Sequence, residues 1–174
     1  YGNITTNTLQ ESLKNFLGVK RRQEEVFVHP RLTVIDDFAH HPTAIRETIK
    51  AIKSRYPTSS IAAFFEPRSA TSARNVLQEE FAKCFQDADQ VFLSFPTKTN
   101  IPDFQKLDVI QLKKQIEIHK DKTNFVNLGH SSDELNELFG KWYAQLAKEK
   151  SCIALIMSNG SFGGLHQKIT QWVT

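Results

Sequence analysis

Short apolar runs alternate along this chain with longer stretches in which apolar residues recur every three or four positions. The runs at 32–36 (LTVID), 60–65 (SIAAFF), 90–95 (QVFLSF) and 151–157 (SCIALIM) predict buried strands. Residues 25–31 (EVFVHPR) alternate, and Pro30 predicts an edge strand or a bend there. A further short strand is expected at 124–128. Helical spacing fills the gaps. Ile45, Ile49 and Ile52 follow Pro42, which suits a first helical turn, and the pattern runs as far as Tyr56-Pro57. Residues 73–85 carry Val76, Leu77, Phe81 and Phe85 at helical spacing, and 109–119 is amphipathic. Ser132 is expected to cap a helix over 133–148 with Leu135, Leu138, Phe139, Trp142 and Leu146 inward, and 165–173 closes the chain as a helix. Strands alternating with helices predict βα units and right-handed crossovers. The fold class is therefore α/β: a Rossmann-like three-layer domain whose mostly parallel sheet of about six strands is flanked by helices. Residues 1–18 stand apart. Thr8 is expected to cap a short helix with Leu9, Leu13, Phe16 and Leu17 on one face, ended by Gly18, and it carries too little core to stand alone. It reads as the tail of an upstream domain, joined through the charged connector 19–25 to a domain spanning 19–174.

Composition narrows the function. The 174 residues are 40% hydrophobic and 24% charged, with a net charge of +3 and a pI near 8.9, which is compatible with anionic substrates. Lys20-Arg21-Arg22 is the only basic triplet, and Glu24 and Glu25 follow it at once, so no nucleic-acid partner is expected. Cys84 and Cys152 lie in apolar patterns without metal-ligand spacing and read as buried thiols of a reducing compartment. No run approaches a membrane span and no signal peptide is visible, which predicts a cytoplasmic protein without a membrane partner. Tyr1 is not a natural start, so the chain reads as a fragment.

Three polar turns follow three apolar strands: Asp36-Asp37-Phe38-Ala39-His40-His41, Glu66-Pro67-Arg68-Ser69-Ala70-Thr71-Ser72 and Ser158-Asn159-Gly160-Ser161-Phe162-Gly163-Gly164. In a parallel sheet all three strand ends lie on one edge, the edge where such folds bind ligands. Asp37, His40, Arg68 and Asn159 then converge from distant parts of the chain. Each turn also has a plain reading: Asp36 or Asp37 caps the helix at Pro42, Arg68 is a surface ion-pair partner, and the glycines serve a tight connection. Against these, an arginine beside Ser69 and Thr71 is well made to grip a carboxylate or phosphate bidentately, and the glycine turn resembles an anion-binding nest. The sequence lacks G-x-x-x-x-G-K-[ST], G-x-G-x-x-G and G-x-S-x-G. Asp36, Asp37, His40 and His41 are metal-ligating types, though no further ligand group accompanies them.

Taken together, these motifs resemble the C-terminal domain of the Mur ligase family. Asp36 to Thr43 (DDFAHHPT) is similar to its strand-loop-helix motif, and Gly18-Val19-Lys20-Arg21-Arg22 to the junction with its central ATPase domain. Phe65-Glu66-Pro67-Arg68-Ser69 and the run from Met157 to Lys168 (MSNGSFGGLHQK) are similar to the branch that joins the recycled tripeptide L-Ala-γ-D-Glu-meso-diaminopimelate to UDP-N-acetylmuramate. Ser161 stands where that branch has Gly, and Ala70 where it has Asn. The resemblance implies ATP-dependent amide formation through an acyl phosphate of the muramyl lactyl carboxylate, attacked by the peptide amine. It implies three domains: one for the UDP-sugar, a central one with the phosphate loop, Mg2+ and a carbamylated lysine, and this one, inactive alone, which presents the amine. By position, Asp37 matches the carboxylate that holds the ATP ribose. Arg22 matches the junction arginine that reaches the nucleotide phosphates, the one catalytic role carried over, and His40 lines the nucleotide side. Glu66, Arg68 and Ser69 lie where relatives bind the incoming amino acid, and Asn159, Phe162 and His166 are further peptide contacts. No metal site is implied within the domain. The alternatives are the corresponding domain of an L-alanine-adding ligase, a freestanding nucleotide- or peptide-binding module, and a metal hydrolase built on Asp36, Asp37, His40 and His41.

Overall fold

The computed structural model describes residues 4–16, 18–97, 100–123, 125–146 and 148–173. Leu17, Asn124 and Ala147, assigned above to a helix face, a strand start and a last helical turn, lie outside these residues. In chain order the elements are α1 (Thr6–Lys14), β1 (Glu24–His29), β2 (Leu32–Asp37), α2 (Pro42–Arg55), β3 (Ser60–Phe65), α3 (Gln78–Lys83), β4 (Gln90–Ser94), α4 (Val109–Lys120), β5 (Val126–Gly129), α5 (Ser132–Tyr143), β6 (Cys152–Met157) and α6 (Leu165–Thr170).

The six strands form one sheet in the order β1-β2-β6-β3-β4-β5. All neighbours are parallel except β1 and β2, whose antiparallel pairing sets Glu24 opposite Asp36. The parallel strands β2, β6 and β3 are in step: Leu32, Cys152 and Ser60 are level at one end, and Asp37, Met157 and Phe65 at the other. Pro30 lies in the turn between β1 and β2, so its missing N–H interrupts no ladder.

Strand residues alternate between two cores, as the two-residue period of a strand demands. Ile35, Ala63, Phe65, Leu93 and Leu155 pack under α2, α3 and α4. Val34, Phe64, Phe92, Ala154 and Ile156 pack under α5 and α6. Phe64 stacks on Phe92 with centroids 4.5 Å apart, and Phe139 of α5 tilts against both. The steps outward from β2 to β3, β4 and β5 put their helices on one face, and the return from β5 to β6 puts α5 on the other. A single crossover hand requires that arrangement.

Several local readings need correction. The helix expected over 73–85 is a 3₁₀ turn at Asn75–Leu77 followed by the short α3, with Val76 66% exposed. Leu107 N–H bonds the Ala73 carbonyl and Arg74 bridges Lys106, which holds Arg74 extended and delays the helix. The cap of α1 is Thr5, whose hydroxyl accepts from Thr8 N–H, and the cap of α5 is Ser131, not Ser132. Helix α5 ends at Tyr143, and α6 gives way to a 3₁₀ turn over Gln171–Val173. Helix α1 buries none of its residues, and Leu9, Leu13 and Phe16 are exposed.

Candidate functional site

The carboxyl ends of β2, β6 and β3 lie side by side, so the three polar turns share one rim. The exits diverge there. β2 and β3 lead to helices on one face, while β6, between them, leads to α6 on the other. Such a divergence opens a crevice at the strand ends, and here it occurs on both flanks of β6. At the tip of β2 two consecutive carboxylates point to opposite faces. Asp37 faces the α2 side and Asp36 the α6 side, and each borders its own groove.

The groove on the α2 side, about 530 Å³, is lined by Arg22, Gln23, Asp37, Phe38, His40 and Glu47, among others. Asp37, 4% exposed, accepts from Ala39 N–H at 2.7 Å and from Gln23 N–H at 2.9 Å. Neither Asp36 nor Asp37 caps α2, because the N-cap position is His41, with Pro42 in the first turn as expected. His40 Nδ1 lies 2.8 Å from the Phe38 carbonyl. A carbonyl only accepts, so Nδ1 carries the proton and Nε2 of the neutral ring is left as an acceptor. The Arg22 guanidinium sits 4.8 Å from the centroid of the Phe38 ring.

The groove on the α6 side, about 790 Å³, is lined by Arg21, Asp36, Arg68, Ser69, Asn159, His166 and their neighbours. Arg68 is exposed, and among the described residues its side chain has no hydrogen-bond or ion-pair partner. Its guanidinium lies over Gly160, where an added Cβ would come within 2.0 Å of Nη1. The Asn159 side-chain oxygen is buried and unpartnered. An unpaired guanidinium in a groove of this kind suits a ligand that carries an anionic group. Ser69 is partly committed, since its hydroxyl and that of buried Ser72 cap each other's backbone N–H at 2.9 and 3.0 Å.

Buried and half-buried polar contacts support this groove from beneath and along its wall. Ser158 donates to Glu66 at 2.5 Å and accepts from Gly160 N–H at 2.9 Å. His166 Nε2 is 3.2 Å from Asp36 Oδ1, and Arg21 Nε is 3.2 Å from Asp36 Oδ2. Burial pushes the Asp36 pKa up, but the His166 ring close by, then the Arg21 guanidinium, outweigh it and hold the carboxyl below the ordinary value.

The expected residues are therefore brought together in two sets: Arg22, Asp37 and His40 in one groove, and Arg68, Ser69, Asn159 and His166 in the other. Two depart. Glu66 is buried and supports the groove through Ser158 instead of facing it. Phe162, at φ 45°, turns its ring into the core, where it is 3% exposed and lines neither groove. The glycine turn is not an open anion nest, because Gly160 N–H bonds Ser158 Oγ and Gly164 N–H bonds the Ser161 carbonyl. Sequence reading did not place Arg21 or Asp36 in the second groove, nor Ser158 beneath it. The triplet at 20–22 was the available signal, but it does not say which arginine turns inward.

A profile of the Mur ligase, glutamate ligase domain matches residues 21–160. The chain belongs to the Mur ligase family. That family comprises ATP-dependent ligases. Among solved Mur ligase relatives, a murein peptide ligase from Psychrobacter arcticus is 29% identical with a TM-score of 0.70, over 95% of this chain and 32% of that one. A domain from Haemophilus ducreyi, assigned to a UDP-N-acetylmuramate:L-alanyl-γ-D-glutamyl-meso-diaminopimelate ligase, is 34% identical with a TM-score of 0.61, over 87% of this chain and all of that one. The UDP-N-acetylmuramate–L-alanine ligase of Streptococcus mutans is 41% identical over 91 residues, 52% of this chain and 20% of the enzyme. The chain thus spans about a fifth of the length of the curated relatives it matches. In this Mur ligase domain, no three His, Cys, Asp or Glu side chains among the described residues gather as a metal-binding group. No described helix is long and apolar enough to cross a membrane.

Proposed function

We propose that this chain is the C-terminal, amine-presenting domain of a ligase that joins L-Ala-γ-D-Glu-meso-diaminopimelate to UDP-N-acetylmuramate, with residues 1–18 ending the domain before it. The observation that carries this reading is the unpaired Arg68 guanidinium over Gly160, in a groove on one face of the β2 tip, with a second groove holding Arg22 and His40 on the other face. ATP supplies the phosphoryl group that activates the muramyl carboxylate. Arg22 would reach its phosphates from the junction, and His40 Nε2 would line the nucleotide side. Asp37 fits a ribose contact: its two oxygens offer about four acceptor sites, and the Gln23 and Ala39 amides and the Thr48 hydroxyl occupy three of them. With those oxygens so engaged, Mg2+ is better held by the central domain. On the other side Arg68 would clamp a peptide carboxylate, so that the amine is presented in a fixed orientation. The domain's contribution is positioning and electrostatics, and it is inactive alone.

The likeness to a murein peptide ligase over nearly the whole chain supports the tripeptide as amine substrate. The stronger but shorter identity to L-alanine ligases favours a second reading, in which L-alanine is the amine. ADP release by the intact enzyme, supplied with UDP-N-acetylmuramate, ATP, Mg2+ and either amine, decides between them. Turnover with the tripeptide and not with L-alanine is expected. Arg68→Ala should raise the peptide KM at least about tenfold with the ATP KM unchanged, the loss of one charge-assisted contact. Unchanged turnover and peptide KM would show that Arg68 is not the clamp.

A further inference from the structure

Arg21 and Arg22 are neighbours in sequence but serve different grooves. Arg22 borders the Asp37 groove and Arg21 the Arg68 groove, with the Phe38 ring within reach of both guanidinium groups, at 4.8 and 5.3 Å. Arg21 is held at φ 58°, a conformation a non-glycine residue seldom adopts. Two bonds keep it there: its carbonyl accepts from Phe38 N–H at 2.9 Å, and its N–H donates to Glu24 Oε2 at 2.8 Å. This backbone turn sends the side chain inward. Nη2 then donates to the carbonyls of Ser158 (2.5 Å) and Gly160 (2.8 Å), while Nε meets Asp36. Gly160 is also the residue over which the Arg68 guanidinium lies.

We infer that Arg21 is a positioning residue for the amine substrate: it braces the 158–160 turn on which Arg68 rests, and so ties the peptide groove to the conformation of the 18–23 junction. A planar fork that spans two carbonyls and a carboxylate is a task for arginine, because lysine offers a single point of attachment. The inference rests on the amine-presenting role proposed above but not on which amine is used.

The test is a double-mutant cycle in the intact enzyme with Arg21→Gln, Arg68→Ala and both. The tripeptide and L-alanine are each offered, and KM is measured for whichever is ligated. A failure of the tripeptide reading therefore shows in substrate choice and leaves the cycle decisive. Arg21→Gln should raise the amine KM about tenfold while the ATP KM stays within about twofold. Added to Arg68→Ala, it should cost no more than about a further twofold, because a residue acting only through Arg68 has nothing left to position. Arg21→Lys should give the same split at smaller size, and it decides the matter if Arg21→Gln does not fold. Gly160→Ala, whose new methyl collides with Arg68, should reproduce the raised amine KM from the other side of the contact. The inference is overturned if the Arg21 and Arg68 effects multiply, or if Arg21 variants raise the ATP KM as much as the amine KM.

Discussion

Replacing Asp37 by Ala separates two roles for one carboxylate. Its oxygens accept from the Ala39 and Gln23 amides, and only 4% of the residue is exposed. A hydrogen bond to a charged group contributes about 1.5–3 kcal/mol, more than a neutral pair. Ala39 is buried, so its amide loses its acceptor outright. Gln23 is half-buried, so water recovers part of its share. The two together place the cost of Asp37→Ala at about 3–5 kcal/mol. With a urea slope of about 2 kcal/mol/M, the unfolding midpoint should fall by about 1.5–2.5 M. A chain of this size should lose roughly 6–20 °C of melting temperature. Asp37→Asn keeps one acceptor and should lose about half as much. The measurement is urea unfolding of this chain without nucleotide, followed by circular dichroism, beside the ATP KM of the intact enzyme. A loss under about 1 kcal/mol at an unchanged slope would show that Asp37 does not hold the junction to the turn, and a raised ATP KM alone would then assign it wholly to the nucleotide.

Two further outcomes follow from the structure. The Asp36 carboxyl is held below its ordinary value of 3.8 in the folded chain, so its contribution to stability is complete at neutral pH. It fades only as the pH drops below that value and through the lower folded one. Urea midpoints of Asp36→Asn should therefore fall less steeply than wild type over that acidic range, and parallel curves would exclude the contribution. Cys84 and Cys152 are both buried, and burial pushes both thiol pKa values up. Neither should react with a disulfide reagent in the native chain, and both should react at once in urea; a thiol titrating in native buffer would contradict their placement.

The sheet was legible in the sequence because its interior strands are short apolar runs with polar ends, and Ser60–Phe65 matches its expected bounds residue for residue. Convergence of the three turns was legible too, but only as a consequence of parallel strands. That β6 inserts between β2 and β3 is a long-range fact that no local pattern carries. The errors were local competitions decided by tertiary contacts. Val76 has helical spacing, yet the Arg74–Lys106 bridge keeps the chain extended just before it. Phe162, in a glycine-rich turn, looked like a ligand contact, but a left-handed backbone at 162–164 turns its ring into the core. Arg21 escaped notice because its inward aim depends on a positive φ set by Phe38 and Glu24, which composition does not encode.

The direction of one edge strand has an engineering consequence. Because β1 runs against its neighbours, residues 18–23 arrive at the ligand-facing rim; a parallel β1 of six residues would have delivered them about 20 Å away, at the opposite end of the sheet. A circular permutant opened at the Pro30 turn would keep every interior strand pairing, yet it would hold Arg21 and Arg22 through the edge ladder and the junction's own hydrogen bonds, without the covalent link from β1 to β2. Such a permutant should fold, and its amine and ATP KM values would report how far the covalent link from β1 to β2 matters for aiming the two arginines, a question that arises only because strand polarity brings them to this rim.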